Sequence, residues 1–141
     1  MKIRNIQLKT IEARRYIERN ERPKQVRIDH NSTVSRFTNT SDKNSTIDFQ
    51  YTASYGAVGV IKLEGSLEAE IDDVKTIAKE WNDTRKMPDN VASAIHTAIM
   101  HACVPEAVGI AKDLGLPPPI PLPRVKLGSK ATQVQSGPEV A

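Results

Sequence analysis

Residues Ile47 to Ile71, IDFQYTASYGAVGVIKLEGSLEAEI, alternate apolar and polar side chains almost throughout. The apolar side chains fall on odd numbers from Ile47 to Tyr55, and small or apolar residues again take the odd numbers from Gly59 to Ile71. A period of two places every second side chain on one face of a β-strand, so this stretch predicts two strands with a common apolar face. Gly56 predicts the turn between them.

Two further strands are predicted before this hairpin. Apolar side chains from Ile6 to Ile17 follow a period of two that slips near Thr10, and we interpret the slip as a β-bulge. The alternative for this segment is a helix with Ile3, Ile6, Thr10, Ala13 and Ile17 on one face.

Val26 and Ile28 alternate in a second strand that runs toward Val34, and the polar residues 38–46, TNTSDKNST, predict a hairpin loop. Four consecutive strands with short connections predict an antiparallel meander.

After residue 71 the apolar period becomes helical. A short helix is predicted after an N-cap at Asp72 or Asp73, with Val74, Ile77, Ala78 and Trp81 on its apolar face. A longer helix is predicted after a cap at Asp89 or Asn90, with Val91, Ile95, Ile99 and Cys103 spaced by four. Pro105 predicts a kink or a new helix, and Gly115 predicts the helix end. The expected fold class is α+β, a four-stranded antiparallel sheet followed by a short and a longer, Pro-kinked helix.

Residues 114–125, LGLPPPIPLPRV, combine prolines with apolar side chains. As a polyproline II ligand for SH3 or WW domains the segment has Pro118-x-x-Pro121, but Arg124 is out of register with the usual charged anchor. The other two interpretations are a strap packed on its own domain and the wall of a groove that receives a partner chain. We expect one domain over residues 1–125 and a disordered basic tail over residues 126–141.

Composition narrows the function classes. Aromatic residues make up 4% of the chain, which argues against an enzyme pocket, and the net charge of +3 is too small to indicate nucleic-acid binding by itself. Bases concentrate in residues 1–27 and acids in residues 64–90, which predicts opposite faces of one domain or complementary surfaces of neighbouring subunits. One cysteine, no signal-like start and no apolar run of membrane-spanning length predict a cytoplasmic chain without a membrane span.

Catalytic and metal chemistry would depend on His30, His96, His101 and Cys103. His96 and His101 are five residues apart, which points their side chains about 140° apart on a helix, so structural histidines and a buried thiol are the preferred interpretation. We expect no enzyme, no cofactor and no metal. Tyr16 is the one aromatic residue among the N-terminal bases, so a single-strand nucleic-acid surface is not favoured either.

Residues 104–123, VPEAVGIAKDLGLPPPIPLP, resemble the last conserved helix and the segment after it in the SecB family of export chaperones. That family pattern opens with an aromatic–Pro pair and ends in Gly, an apolar residue, Pro-Pro and Leu-x-Leu-Pro-Pro. Residues 3–8 are similar to the family's opening strand, and residues 60–67 resemble its fourth strand. The resemblance covers about residues 3–125, of which 104–123 is the most specific part.

The resemblance implies an ATP-independent holdase that binds unfolded or preprotein polypeptides in long apolar grooves and assembles as a dimer of dimers. The family's groove is lined by the second strand, the connection between helices, and the last helix with its strap. At the matching positions this implies client-binding roles for Val26, Ile28, Val108, Leu116, Ile120 and Leu122.

Two departures from the family affect these expectations. The export chaperones are strongly acidic and use that charge to dock on a basic secretion motor, whereas this chain has a pI of about 9.1. Docking on that motor is therefore not expected. The alternative role within the family is that of SecB-like proteins that protect antitoxins in toxin–antitoxin systems. Val104 replaces the family's aromatic residue, which changes the expected depth of the groove.

The alternative function is a small basic adaptor that binds nucleic acid through residues 1–27 or a folded partner through the proline segment.

Overall fold

Four strands precede two helices along the chain, and the computed structural model describes residues 1–21, 25–121 and 123. The elements are β1 (Lys2–Arg15), β2 (Asp29–Asn39), β3 (Asn44–Ser54), β4 (Gly59–Glu70), α1 (Val74–Thr84) and α2 (Asp89–Leu114). The predicted α+β class, a four-stranded antiparallel sheet followed by a short and a long helix, is confirmed. The predicted tail, 126–141, lies outside the described residues.

The strand order in the sheet is β1-β4-β3-β2, and every neighbouring pair is antiparallel. The predicted meander is therefore wrong at its first strand, which pairs with β4 and not with β2. Tight turns at residues 40–43 and 55–58 make β2, β3 and β4 sequential neighbours. Residues 16–28 form a longer connection, which lets β1 lie along the far edge of β4. Alternation of side chains identifies a strand but carries no information about this choice of neighbour.

The β1 strand confirms the predicted phase slip. Its register against β4 shifts between Leu8 and Thr10, and again between Arg4 and Gln7, where Asn5 has a φ of 53°. The helical alternative for this segment is wrong.

The pairing of β1 with β4 also explains the uneven charge distribution. Arg4 lies 3.7 Å from a carboxylate oxygen of Glu68 and 3.7 Å from one of Glu70. The basic start of the chain and the first acids of the acidic segment are therefore side by side in one sheet. The expectation that the two segments form opposite faces is wrong for these residues.

One face of the sheet carries the core. Odd-numbered side chains of β3 and β4 are buried, while their even-numbered side chains are half-buried or exposed. The helices cover this face with Val74, Ala78 and Trp81 of α1 and with Val91, Ile95, Ile99, Cys103, Ala107 and Ala111 of α2. Because four residues turn a helix by about 400°, a buried residue at every fourth position makes the buried row drift by about 40° per turn. This drift fits an oblique crossing, in which α2 starts beside β2 and ends beside β1.

The helix ends differ in part from prediction. Asp73 takes the N-cap position of α1 with a φ of 59°, but its side chain makes no capping hydrogen bond to the described residues. Pro88, not Asp89 or Asn90, takes the N-cap position of α2.

α2 continues through Pro105 as one helix and ends at Gly115, as predicted, with a φ of 68°. Pro105 and His101 are both exposed. Because Pro105 has no N–H, the carbonyl of His101 lacks its usual hydrogen-bond donor within the helix. This carbonyl lies on the exposed side of α2, where water can donate to it instead.

Candidate functional site

The segment after α2, residues 116–121, is fixed to the sheet through its carbonyl oxygens, and we call it the strap. The Tyr55 hydroxyl donates to the carbonyl of Pro117 at 2.7 Å, and Nε2 of His30 lies 2.5 Å from the carbonyl of Pro119. Just before the strap, Nη1 of Arg15 donates to the carbonyl of Gly115 at 2.8 Å. Prolines have no N–H, so these carbonyls are the backbone groups that need partners.

His30 connects the strap to the core. Its Nδ1 lies 2.7 Å from the hydroxyl of Tyr51. A carbonyl only accepts hydrogen bonds, so we assign the imidazole hydrogen to Nε2 and let the Tyr51 hydroxyl donate to Nδ1. Burial, and to a smaller extent Tyr55 and Cys103, raise the pKa of Tyr51 above its usual range, which keeps this phenol protonated as a donor.

The strap divides its side chains between the domain and the surface. Leu116 is only 5% exposed and belongs to the core, whereas Ile120 is 38% exposed. Pro119 is buried. Of the three strap residues expected to bind clients, Leu116 is therefore mostly covered by its own domain and Ile120 is open. Leu122 lies outside the described residues.

The other expected client-binding residues are half-buried. Val26 and Ile28 precede β2 and are not in it, so the prediction that both lie on the second strand is wrong. Val26 and Pro117 line a common cavity of about 530 Å³, with Arg15 and Arg19 at its side. The structure thus brings Val26 to the base of the strap. Val108 is half-buried on α2 and does not line this cavity.

A second cavity, of about 640 Å³, lies between β2, the end of α1 and the start of α2, and we call it the edge cavity. Its apolar wall includes Val34, Met87 and Ala92, and Trp81 also lines it. On its polar side, Oγ of Ser32 lies 2.6 Å from Nδ1 of His96. Sequence reasoning considered His96 as a structural histidine and did not predict a cavity here, although the resemblance implied that the connection between the helices lines a groove.

The outward side of α2 carries no charged residue over most of its length. The sequence from Val91 to Val104 contains no Asp, Glu, Lys or Arg. Ser93, Thr97 and His101 are exposed, and the alanines beside them are half-buried. Among the described residues α2 is the one helix long and apolar enough to cross a membrane by length and composition, and 28% of its most apolar window is buried. A core helix meets the same criterion, and α2 packs on the sheet.

The outer strand β1 also leaves apolar side chains open. Ile11 is 56% exposed and Tyr16, just beyond the strand, is 54% exposed. Both line a shallow cavity of about 520 Å³ with Ala13 and Val60. This cluster, like the edge cavity, lies at a margin of the sheet, and side chains of this type mark interaction surfaces when they are contiguous.

Metal or thiol chemistry would depend on the histidines and on Cys103. Within the described part of the chain no three His, Cys, Asp or Glu side chains are grouped to hold a metal ion. Burial, with a smaller effect from Glu106, raises the pKa of the Cys103 thiol from 9.0 to about 11, so this thiol is protonated and unreactive at neutral pH.

Comparison with known proteins gives no further assignment. No protein-family model, curated protein or solved structure matches the chain.

Proposed function

We propose that the protein is an ATP-independent chaperone that holds unfolded polypeptides, with a role like that of the SecB family. The observation that carries this proposal is the apolar surface left open around the sheet. It comprises Ile11 and Tyr16 beside β1 and Ile120 on the strap, together with half-buried Ala, Met and Val side chains on the uncharged side of α2. Apolar side chains left open to solvent are typical of interaction sites when they form contiguous surface. The order of elements and the strap after α2 support the resemblance in sequence.

A client without fixed sequence offers backbone groups and scattered apolar side chains. β1 and β2 are the outer strands of the described sheet, so each has an edge that can pair with an extended chain. The strap contributes a stiff wall, because its prolines fix φ and its carbonyls are already bonded to Tyr55 and His30. Little conformational entropy is then lost when a client binds.

Assembly into a dimer of dimers belongs to the same proposal. The uncharged side of α2 and the exposed Ile11 and Tyr16 beside β1 are surfaces that association of copies would cover. A cytoplasmic location is part of the proposal and is supported by the resemblance and by the single cysteine. The basic pI of about 9.1 argues against docking on the secretion motor.

Light scattering of an aggregating unfolded protein, with and without this chain, tests the proposal. The wild type should suppress scattering at near-equimolar subunits, and Ile120→Asp should weaken suppression several-fold because it places a charge on the open side of the strap. Thr76→Asp is the matched control, since Thr76 is exposed on α1 away from the strap. No suppression by the wild type would remove the basis for a chaperone function.

The alternative, a basic adaptor for nucleic acid, receives less support from the geometry. Several N-terminal bases already have partners: Arg4 lies beside Glu68, Lys9 is 3.7 Å from Asp48, and Arg15 donates to main-chain carbonyls. These contacts reduce the charge that β1 offers to phosphates. Steep salt-dependent binding to DNA or RNA, without any effect on aggregation, would favour the adaptor instead.

A further inference from the structure

The edge cavity combines two bases with an aromatic ring. Arg85 and Lys86, in the connection between α1 and α2, line it together with one acid, Asp89. Among the described residues neither of these two bases forms an ion pair. Two other bases near this margin of the sheet do: Arg27 pairs with Asp29 at 3.1 Å, and the guanidinium of Arg36 lies 3.9 Å from Asp48.

Arg85 also stands at a position that favours glycine. It follows the last turn of α1 with a φ of 63°, in the left-handed region, and its N–H donates to the carbonyl of Trp81. An L-residue with a long side chain is strained in this conformation, whereas glycine is not. The strained residue brings a guanidinium to the wall of the cavity.

The guanidinium of Arg85 lies over the ring of Trp81, with its central carbon 4.3 Å from the ring centroid. This cation–π contact does not occupy all the N–H groups of the guanidinium, so some can bind a carboxylate. The ring also limits the motion of the side chain, so the charge is held in place before a ligand arrives.

Apolar walls and an open backbone edge complete the site. Val34, Met87 and Ala92 offer aliphatic contact beside the two bases. Ser32, Thr33 and Val34 are on β2, whose outer edge has no strand partner in the described sheet. An extended peptide that pairs with β2 would point alternate side chains toward the cavity.

We propose that the edge cavity selects extended client segments in which an acidic side chain lies next to apolar ones, with Arg85 and Lys86 taking the carboxylate. This inference rests on the proposed function and specifies the substrate class of that activity. The cavities beside β1 and at the base of the strap are also lined by two bases and one acid each, but among the described residues Arg85 is the base that lies over an aromatic ring, which holds its charge in place. We therefore assign the preference to the edge cavity.

Trp81 gives a local probe, because it is the chain's one tryptophan and lines the cavity. Two extended apolar peptides that differ only in a central Glu or Gln are titrated against the assembled protein while Trp81 fluorescence is recorded. The Glu peptide should bind about fivefold more tightly at low salt, and the preference should shrink at high salt.

Arg85→Gly is the decisive variant, since it removes the guanidinium and suits the backbone at that position. It should reduce the Glu preference severalfold without loss of stability, with Lys86 accounting for what remains, whereas Lys79→Gln, a matched exposed base on α1, should retain the full preference. Equal binding of the two peptides by the wild type, or a preference that is unchanged in Arg85→Gly, would overturn the inference. So would an equal response of Trp81 to inorganic phosphate alone, which would assign the cavity to small anions.

The scattering assay separates this inference from the proposed function. Suppressed aggregation without a Glu preference would refute the selectivity of the edge cavity and would still support the chaperone function. A Glu preference reduced in Arg85→Gly, without suppressed aggregation, would support an acidic-peptide site and refute the chaperone.

Discussion

At the scale of single residues, two weak acids buried in the core, Cys103 and Tyr55, should make the stability of the fold depend on pH in the alkaline range. The Cys103 side chain is fully buried, and the pKa of its thiol is raised from 9.0 to about 11. Burial also raises the pKa of the Tyr55 phenol, from 10.0 to about 12. In both groups the folded state holds a proton that the unfolded state releases more readily.

The free energy of unfolding should therefore fall as pH rises above about 9. Below pH 9 both groups are protonated in the folded and the unfolded state, so their contribution is fully present there. Between pH 9 and 11 the unfolded chain loses the Cys103 proton while the folded chain retains it, which gives stability a negative slope against pH. The Tyr55 contribution is lost in the same direction between pH 10 and 12. Urea unfolding at a series of pH values measures the slope.

Cys103→Ala is the control for this pH dependence. It lowers stability at every pH through the lost side-chain volume, so the slope and not the absolute value is the readout. The variant should have a flatter slope between pH 9 and 11. An unchanged slope would contradict the assignment of that step to Cys103.

At the scale of elements, α2 carries a proline that its packing tolerates. Pro105 lies on the exposed row of the helix, four residues after His101 and four before Gly109, and all three are exposed. A proline in a helix interior removes one hydrogen bond and is unfavourable by about 3 kcal/mol relative to alanine. The helix remains continuous because its buried row, which includes Ile99 and Cys103, packs on the sheet on both sides of this point.

Pro105→Ala should raise the free energy of unfolding by about 1 to 3 kcal/mol, since it restores an N–H donor to the carbonyl of His101. Gly109→Ala, in the same row, is the matched comparison: an added Cβ there meets no atom within 4 Å, and the expected gain is about 1 kcal/mol. Urea unfolding measures both. A loss of stability in Pro105→Ala, with a gain in Gly109→Ala, would show that the proline itself shapes the packing of α2.

The same scale shows what sequence could predict. Local periodicity identified β3, β4, the bulge near Thr10 and the end of α2 at Gly115, because each depends on neighbours in the chain. It did not identify the neighbour of β1, which depends on the path of residues 16–28. It also did not find the edge cavity, where β2 meets the connection between the helices, because no local pattern relates Val34 to Arg85.

At the scale of the whole molecule, the fold covers one face of the sheet and leaves apolar surface on α2 and beside β1. In the proposed chaperone, a chain of 15.6 kDa, this surface has two uses, client binding and association of copies. The α2 side is the better candidate for association, because its small side chains allow another helix to approach closely. The strap and the margin of β2, with their cavities and open backbone edge, suit extended clients.

Sedimentation analysis tests this division. The wild type should sediment as a multiple of 15.6 kDa at micromolar concentration. Thr97→Glu should lower that mass. Thr97 is exposed in a single subunit, so the new carboxylate would lose its water only if α2 packs against another copy, and that loss would weaken the association. Thr76→Glu places the same charge on the exposed side of α1 and should leave the mass unchanged. A wild type that sediments at 15.6 kDa would contradict the proposed assembly. If Thr97→Glu leaves the mass of the assembly unchanged, the subunit contact is not on α2, and β1, where Ile11 and Tyr16 are exposed, becomes the better candidate.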